Sequence, residues 1–196
     1  SAPIKGGGTI VPKGQLVYGD VSVKGAALPE QPDGSPTDPA VGKAAPTLTG
    51  EQFNGAALTL PAPGKPAVVM FVAHWCPHCQ KEVPEITKWL NANGMPQDVN
   101  LYAVATSSSD QRPNFPPSDW LNKEGWPVPT IADDNNNRAA TAYGIGGFPY
   151  FVVLDANGNV VQRASGELTT DQFQALLTAA RTTPTAGPTA PGTTAK

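Results

Sequence analysis

The sequence has few of the residues that build metal centres, basic interfaces or membrane spans. The 196-residue chain contains only two cysteines and two histidines. A structural zinc site usually takes about four ligands, and no second Cys-x-x-Cys motif is present. The net charge is −3 and the 13 lysines and arginines form no cluster, which argues against nucleic acid as a partner. No apolar run approaches the roughly 18–20 residues that cross a membrane.

Proline and glycine are abundant by contrast, with 22 and 20 copies. They crowd three stretches, residues 1–66, 112–130 and 182–196. We therefore predict a flexible N-terminal extension over residues 1–40, with at most one edge strand in it. Residues 182–196 are predicted to be a disordered tail. The compact domain is then expected to span residues 41–181.

Within that domain the hydrophobic pattern alternates between strands and helices. The continuous apolar run 67–73 is typical of a central strand buried on both faces. A helix is predicted from Cys76 onward, and a later hairpin at Asn157-Gly158 adds antiparallel strands. Three further helices are predicted. The first is short and capped by Ser118, the second covers residues 135–143, and the last is capped by Thr169 or Thr170. The order predicts an α/β fold with a mixed central sheet and helices on both faces.

Both cysteines lie in Cys76-Pro77-His78-Cys79, at the end of the central strand and the start of the helix. Two thiols at this spacing can close into a small disulfide and reopen by exchange. Backbone N–H groups and the helix dipole favour an anion at Cys76, so its pKa is expected to fall. An imidazole at His78 would stabilise the same thiolate and make the protein a better oxidant; alternatively, His78 is an exposed residue with little effect.

Three neighbours of the pair carry further expectations. Glu82, one turn past Cys79, could accept its proton; otherwise it is a surface residue or an ion-pair partner of Lys81 or Lys88. Trp75 is expected to pack beside the disulfide and limit solvent. His74 is expected to be a partly exposed strand-end residue, although both histidines could join the thiolates in binding a metal.

These motifs together resemble the thioredoxin superfamily, and within it the exported TlpA/ResA-like thiol–disulfide oxidoreductases. The matching segments are residues 41–46, 64–66, 75–79, Glu82, Pro84, 143–145, 147–149 and 154–158, so the resemblance covers Val41 to about Arg181. It implies a thioredoxin fold with Cys76 as the attacking thiol and Cys79 as the resolving thiol. It also implies that Pro149 is a cis-proline facing them. Phe148 is expected to be a wall of the substrate groove, or otherwise to fill the core.

Some positions depart from the family pattern and bear on the direction of electron flow. Met70 stands where cytosolic thioredoxins carry a buried aspartate, and Pro77-His78 matches DsbA-type oxidases rather than reductive relatives. We therefore favour an oxidising enzyme. The alternatives are a reductase of the cytochrome c maturation type, a redox-inactive binding module and a metal-handling protein.

The resemblance also sets expectations for partners and setting. Substrates would be proteins with cysteine thiols or disulfides, and a membrane or soluble redox partner would restore the redox state of Cys76 and Cys79. No bound cofactor or metal is expected, the chain should be a monomer, and an antioxidant activity would be compatible with the chemistry. The expected location is extracytoplasmic, and a start at Ser1 is compatible with removal of a signal peptide or anchor.

Overall fold

A computed structural model describes residues 4–14 and 16–182 as eight strands and four helices. The strands are β1 (Ser22–Lys24), β2 (Thr47–Glu51), β3 (Ala57–Leu60), β4 (Ala67–Val72), β5 (Asn100–Ala105), β6 (Thr130–Ala132), β7 (Tyr150–Leu154) and β8 (Val160–Ser165). The helices are α1 (Pro77–Asn93), α2 (Pro117–Lys123), α3 (Arg138–Ala142) and α4 (Thr170–Arg181). Within the described ranges, no helix has the length and apolar character needed to span a membrane.

The strands form one mixed sheet in the order β1-β2-β6-β5-β4-β7-β8, with β3 paired to β2. Strand β4 lies near its centre, and all six of its residues are buried. It pairs in parallel with β5 and antiparallel with β7, and β7 continues into β8 through the Asn157-Gly158 turn. The apolar run 67–73 therefore forms the predicted central strand.

Alternate residues of β4 face the two layers that cover the sheet. Val68 and Met70 belong to the core that also contains buried residues of α1, α2 and α4. Val69 and Phe71 belong to the opposite core, which contains the alanines of α3 and apolar residues of the N-terminal segment. This confirms the α/β class and the mixed central sheet with helices on both faces.

Several described residues of the N-terminal 40 pack on the domain. Strand β1 is the predicted edge strand, but the surrounding chain also packs on the domain. Val11 is buried and its N–H donates to the Trp126 carbonyl at 2.7 Å, and buried Leu28 donates in the same way to Ala142 at 2.8 Å. The apolar residues responsible are isolated among prolines and glycines, so they form no periodic pattern. Residues 183–196 of the expected tail lie outside the described residues.

Two predicted helix starts require correction. Helix α2 begins after Pro116 without a side-chain cap, and the buried Ser118 hydroxyl has no hydrogen-bond partner among the described residues. Helix α3 is shorter than residues 135–143 because Asn137 is left-handed, with φ of 55°. Thr169 is confirmed as the cap of α4, where its side chain accepts from the Gln172 N–H in a capping box.

Candidate active site

The two cysteines lie where β4 ends and α1 begins. Cys76 is the N-cap residue of α1 in extended conformation, and Pro77 occupies the first turn, where its missing N–H is not needed. Both thiols are free; Cys76 is 6% exposed and Cys79 is fully buried. The Cys79 sulfur accepts a hydrogen bond from the Ala73 N–H at 3.5 Å. Both cysteines are thus buried, and Cys76 is the one that retains a small exposed area.

Burial raises the pKa of the Cys79 thiol far above its ordinary value. The neighbouring Cys76 and Glu82 add to the effect, and the Ala73 N–H opposes it. Cys79 is therefore protonated at neutral pH, and any reaction that uses its thiolate must move a proton at that position.

Phe148 and Pro149 lie opposite the cysteines although they are remote in sequence. The peptide bond between them is cis, and the Phe148 carbonyl accepts a long hydrogen bond from the Cys76 thiol at 3.8 Å. The half-buried Phe148 ring meets Trp75 edge-on, with ring centroids 6.0 Å apart. The Phe148 carbonyl and ring thus stand beside Cys76 as the second wall of the site.

Trp75 is half-buried and is held from three sides. Its indole N–H donates to the Ser107 carbonyl at 2.8 Å, and the Arg112 guanidinium lies 4.2 Å above its ring centroid. Phe148 covers its edge. The indole is therefore a fixed surface next to Cys76.

Glu82 lies on the buried face of α1 and is only 3% exposed. One carboxylate oxygen accepts from the Leu168 N–H at 3.0 Å, while Oε1 has no hydrogen-bond partner among the described residues. Burial raises the pKa of Glu82 to about 7, and the charges of Glu167 and Glu85 act in the same direction. Neither Lys81 nor Lys88 pairs with it in the described part of the chain. Glu82 is thus a buried carboxyl group able to hold or release a proton near neutral pH.

His78 is exposed and makes a contact that the sequence does not predict. Its Nδ1 lies 2.6 Å from Oε1 of Glu167, and Lys81 approaches the same oxygen at 3.9 Å. Glu167 follows β8, far from the motif along the chain, and no local pattern marks it. The same is true of Arg112, which lies in a polar stretch typical of a solvated loop.

The expectation of a partly exposed His74 is wrong, because the residue is only 1% exposed. Its Nδ1 lies 2.7 Å from the Pro113 carbonyl, and its Nε2 lies 3.1 Å from the Ser109 N–H. Because an amide N–H can only donate, the ring is the neutral tautomer with a proton on Nδ1. Both ring nitrogens are thus engaged with backbone, and His74 does not join the thiols as a metal ligand. Across residues 4–14 and 16–182, no group of three or more potential ligands is suited to a metal.

A mixed sheet of this order, with paired thiols at the start of α1 and a cis-proline opposite them, defines a thioredoxin-fold protein. The chain belongs to the Redoxin family, whose model matches residues 40–179.

Known relatives agree with this assignment. The chain is 27% identical over 138 residues to thiol-disulfide oxidoreductase ResA of Bacillus anthracis, covering 70% of this chain and 76% of ResA. It is 28% identical over 155 residues to a DsbE homologue of Paracoccus denitrificans, a thiol:disulfide interchange protein, covering 76% and 78%. Among solved structures, a thioredoxin-family thiol:disulfide interchange protein of Chlorobium tepidum superposes with a TM-score of 0.58 at 24% identity, covering 76% of this chain and 99% of that one. The family is therefore one of thiol–disulfide oxidoreductases.

Proposed function

We propose that this protein exchanges disulfides with protein thiols through Cys76 and Cys79, in the oxidising direction and outside the cytoplasm. One observation carries the proposal. Cys76, which is 6% exposed, and the fully buried Cys79 share the start of α1, with the buried carboxyl group of Glu82 one turn further along. This arrangement supports separate roles for the two sulfurs, because only the Cys76 residue has any exposed surface.

In the oxidising direction the reaction starts from the Cys76–Cys79 disulfide. A substrate thiolate attacks the Cys76 sulfur, the bond between Cys76 and Cys79 breaks, and Cys79 leaves as a thiolate. Its high pKa makes that anion unfavourable, and a protonated Glu82 can supply the proton. A second substrate thiolate then attacks the mixed disulfide and releases Cys76, so the substrate gains a disulfide and the protein gains two electrons.

The proposed substrate groove is formed by Phe148 and Pro149, with the Trp75 ring beside Phe148. An extended peptide that brings its cysteine to Cys76 would pass the Phe148 carbonyl, and its side chains would contact the two rings. Only sulfur chemistry and proton transfer are involved, so no bound cofactor is required. A second redox protein must reoxidise the pair.

Electron flow in the reducing direction is a second candidate. The dipeptide Pro77-His78 supports the oxidising direction because a cationic imidazole near Cys76 stabilises the reduced form. The pairing of His78 with Glu167 offsets that cation and supports a reductase, as does the similarity to ResA. A redox titration separates the two, since DsbA lies at about −120 mV and thioredoxin at about −270 mV. A value close to that of thioredoxin would contradict the oxidising proposal.

The roles of the sulfurs are tested by two serine substitutions. We expect Cys76→Ser to abolish exchange with a reduced, unfolded substrate protein, because no accessible sulfur remains. We expect Cys79→Ser to accumulate a mixed disulfide between Cys76 and substrate, detectable by mass spectrometry, because no thiol is left to resolve it. Exchange that survives Cys76→Ser would contradict the role of Cys76 as the attacking thiol, whereas a wild type without exchange activity would favour a binding module whose motif is incidental.

The extracytoplasmic setting is supported by the resemblance to exported relatives and by the chemistry, because a disulfide that is to be donated persists only in an oxidising compartment. Trapping cellular thiols with acid and alkylating them tests this in the native host. We expect the pair to be oxidised and the protein to fractionate with the exported or membrane-attached material. A fully reduced pair in the cytosolic fraction would contradict the proposal.

A further inference from the structure

Residues 166–168 contact three parts of the site at once. The Gly166 N–H donates to the Pro149 carbonyl at 2.9 Å, and the Leu168 N–H donates to Glu82 at 3.0 Å. Between these two anchors, the Glu167 carboxylate reaches His78 at 2.6 Å. The backbone of this segment therefore sets the position of the carboxylate independently of the contact with His78.

We infer that Glu167 is a positioning residue for the Cys76–Cys79 pair, which holds the His78 imidazole on the side of residues 166–168 and offsets its charge. The inference deepens the proposed function and rests on it. An exposed ion pair usually contributes little, because two mobile side chains must be ordered. Here one partner extends from a segment fixed at both neighbouring residues, which lowers that cost.

The contact decides how His78 acts on Cys76. Among the described residues, Glu167 is the only hydrogen-bond partner of the His78 ring, and no hydrogen bond joins the ring to Cys76. When the imidazole is protonated, the pair with Glu167 has no net charge. A cation released from this pair would stabilise the Cys76 thiolate, and with it the reduced protein.

The other charges that act on Glu167 belong to α1. Lys81 lies 3.9 Å from Glu167, and Glu82 interacts with Glu167 through its charge, while Glu167 is the only titratable group of the 166–168 segment. A substitution that removes charge without changing shape is therefore needed. Glu167→Gln retains the side-chain length and an acceptor oxygen for the ring.

The experiment compares wild type with Glu167→Gln in two measurements. The first is the apparent pKa of Cys76, from the rate of alkylation between pH 4 and 9. The second is the equilibrium with glutathione, in which the protein disulfide and two glutathione thiols yield the protein dithiol and glutathione disulfide. The equilibrium is also measured at pH 5.5, because protonation of an imidazole is favoured at lower pH.

We expect Glu167→Gln to lower the apparent pKa of Cys76 and to shift the glutathione equilibrium toward reduced protein by about twofold to fivefold, the range of exposed charge pairs. In the His78→Gln background the same change should have less than half that effect, because Glu167 acts through the ring. Asp171→Asn is the matched control. It removes an exposed carboxylate four residues further along, in the first turn of α4, and should shift neither quantity.

An unchanged or raised pKa of Cys76 in Glu167→Gln, or an equal shift in the His78→Gln background, would overturn the inference. The proposed function has a separate failure. If wild type itself does not equilibrate with glutathione and Cys76 does not react with the alkylating reagent, the exchange chemistry is wrong. If wild type equilibrates with glutathione and Glu167→Gln reaches the same equilibrium position, only the role of Glu167 is wrong.

Discussion

Two glutamates near the start of α1 have opposite electrostatic settings. Burial raises the pKa of Glu82 to about 7, because desolvation penalises the charged form. Glu167 is exposed, and its hydrogen bond with His78 lowers the pKa of its carboxyl group. The same residue type thus titrates near neutral pH at one position and carries a negative charge there at the other.

The buried carboxyl group of Glu82 makes stability depend on pH. Since its pKa is higher in the folded protein than its ordinary value of about 4.5, the folded state binds the proton more tightly. The stability that protonation of Glu82 contributes is therefore present at low pH and is lost as pH rises through about 7. We expect the free energy of unfolding of Glu82→Gln to equal that of wild type at pH 5 and to exceed it by about 2–3 kcal/mol at pH 8.

Urea denaturation of the reduced proteins at both pH values measures this difference. Glu85→Gln, at an exposed position three residues along the same helix, is the control and should show a much smaller change between the two pH values. A Glu82→Gln variant that is no more stable than wild type at pH 8 would show that the carboxyl group is not desolvated.

At the scale of elements, residues 107–115 form a polar segment that folds over the end of β4. The Ser107 carbonyl holds the Trp75 indole, Arg112 lies above that ring, and Phe115 meets His74 edge-on. The two hydrogen bonds of the His74 ring tie the segment down at Ser109 and Pro113. The wall of the site around Trp75 therefore depends on the buried histidine before it.

We expect His74→Phe to lower the free energy of unfolding by about 1–3 kcal/mol at pH 7.5, because it keeps a ring but leaves the Ser109 N–H and the Pro113 carbonyl without partners. The amide of Ser109 should lose protection from hydrogen exchange. His78→Phe makes the same change at the exposed histidine and should leave that amide protected. Unaltered protection in His74→Phe would show that the segment holds itself in place.

Acidification should destabilise the wild type, as the His74→Phe substitution does. Burial lowers the pKa of His74, so its neutral form is favoured in the folded protein. The stability linked to that form is present above the ordinary pKa of about 6.5 and is lost as pH falls below it, toward the lowered value. We therefore expect the difference in stability between wild type and His74→Phe to narrow from pH 7.5 to pH 5 in chemical denaturation experiments.

Local patterns in the sequence account for the elements but not for the contacts between remote segments. The apolar run of β4 and the Cys76-Pro77-His78-Cys79 motif predict a strand, a turn and a helix, because each depends on neighbouring residues. Glu167 carries no pattern of its own, since its partner His78 lies 89 positions away. The sequence predicts a partly exposed His74 because the segment that covers it lies about 35 residues further along the chain. Such pairings follow from the fold, so only the structure reveals them.

At the scale of the whole molecule, the N-terminal segment is tied to the sheet through Arg163 of β8. The Arg163 guanidinium is fully buried and donates to both carboxylate oxygens of Asp38, at 2.7 and 2.8 Å. It also donates to the carbonyls of Pro29 and Tyr143, at 2.7 and 3.0 Å. One side chain thus joins residues 29–38 to β8 and to the end of α3, and the hydrogen bond from Arg163 lowers the pKa of Asp38.

We expect Arg163→Met to lower the free energy of unfolding by about 3–5 kcal/mol, because it leaves the Asp38 carboxylate and two carbonyls without their partner. Adding Asp38→Asn should recover part of the loss, since the unpaired charge is removed. Arg181→Met is the matched control: Arg181 pairs with Asp98 at 2.6 Å, but both side chains are exposed, so its loss should amount to at most about 1 kcal/mol. Urea denaturation measures stability, and limited proteolysis between residues 29 and 40 reports detachment of the segment. Equal effects of Arg163→Met and Arg181→Met would show that the N-terminal segment contributes nothing to the stability of the domain.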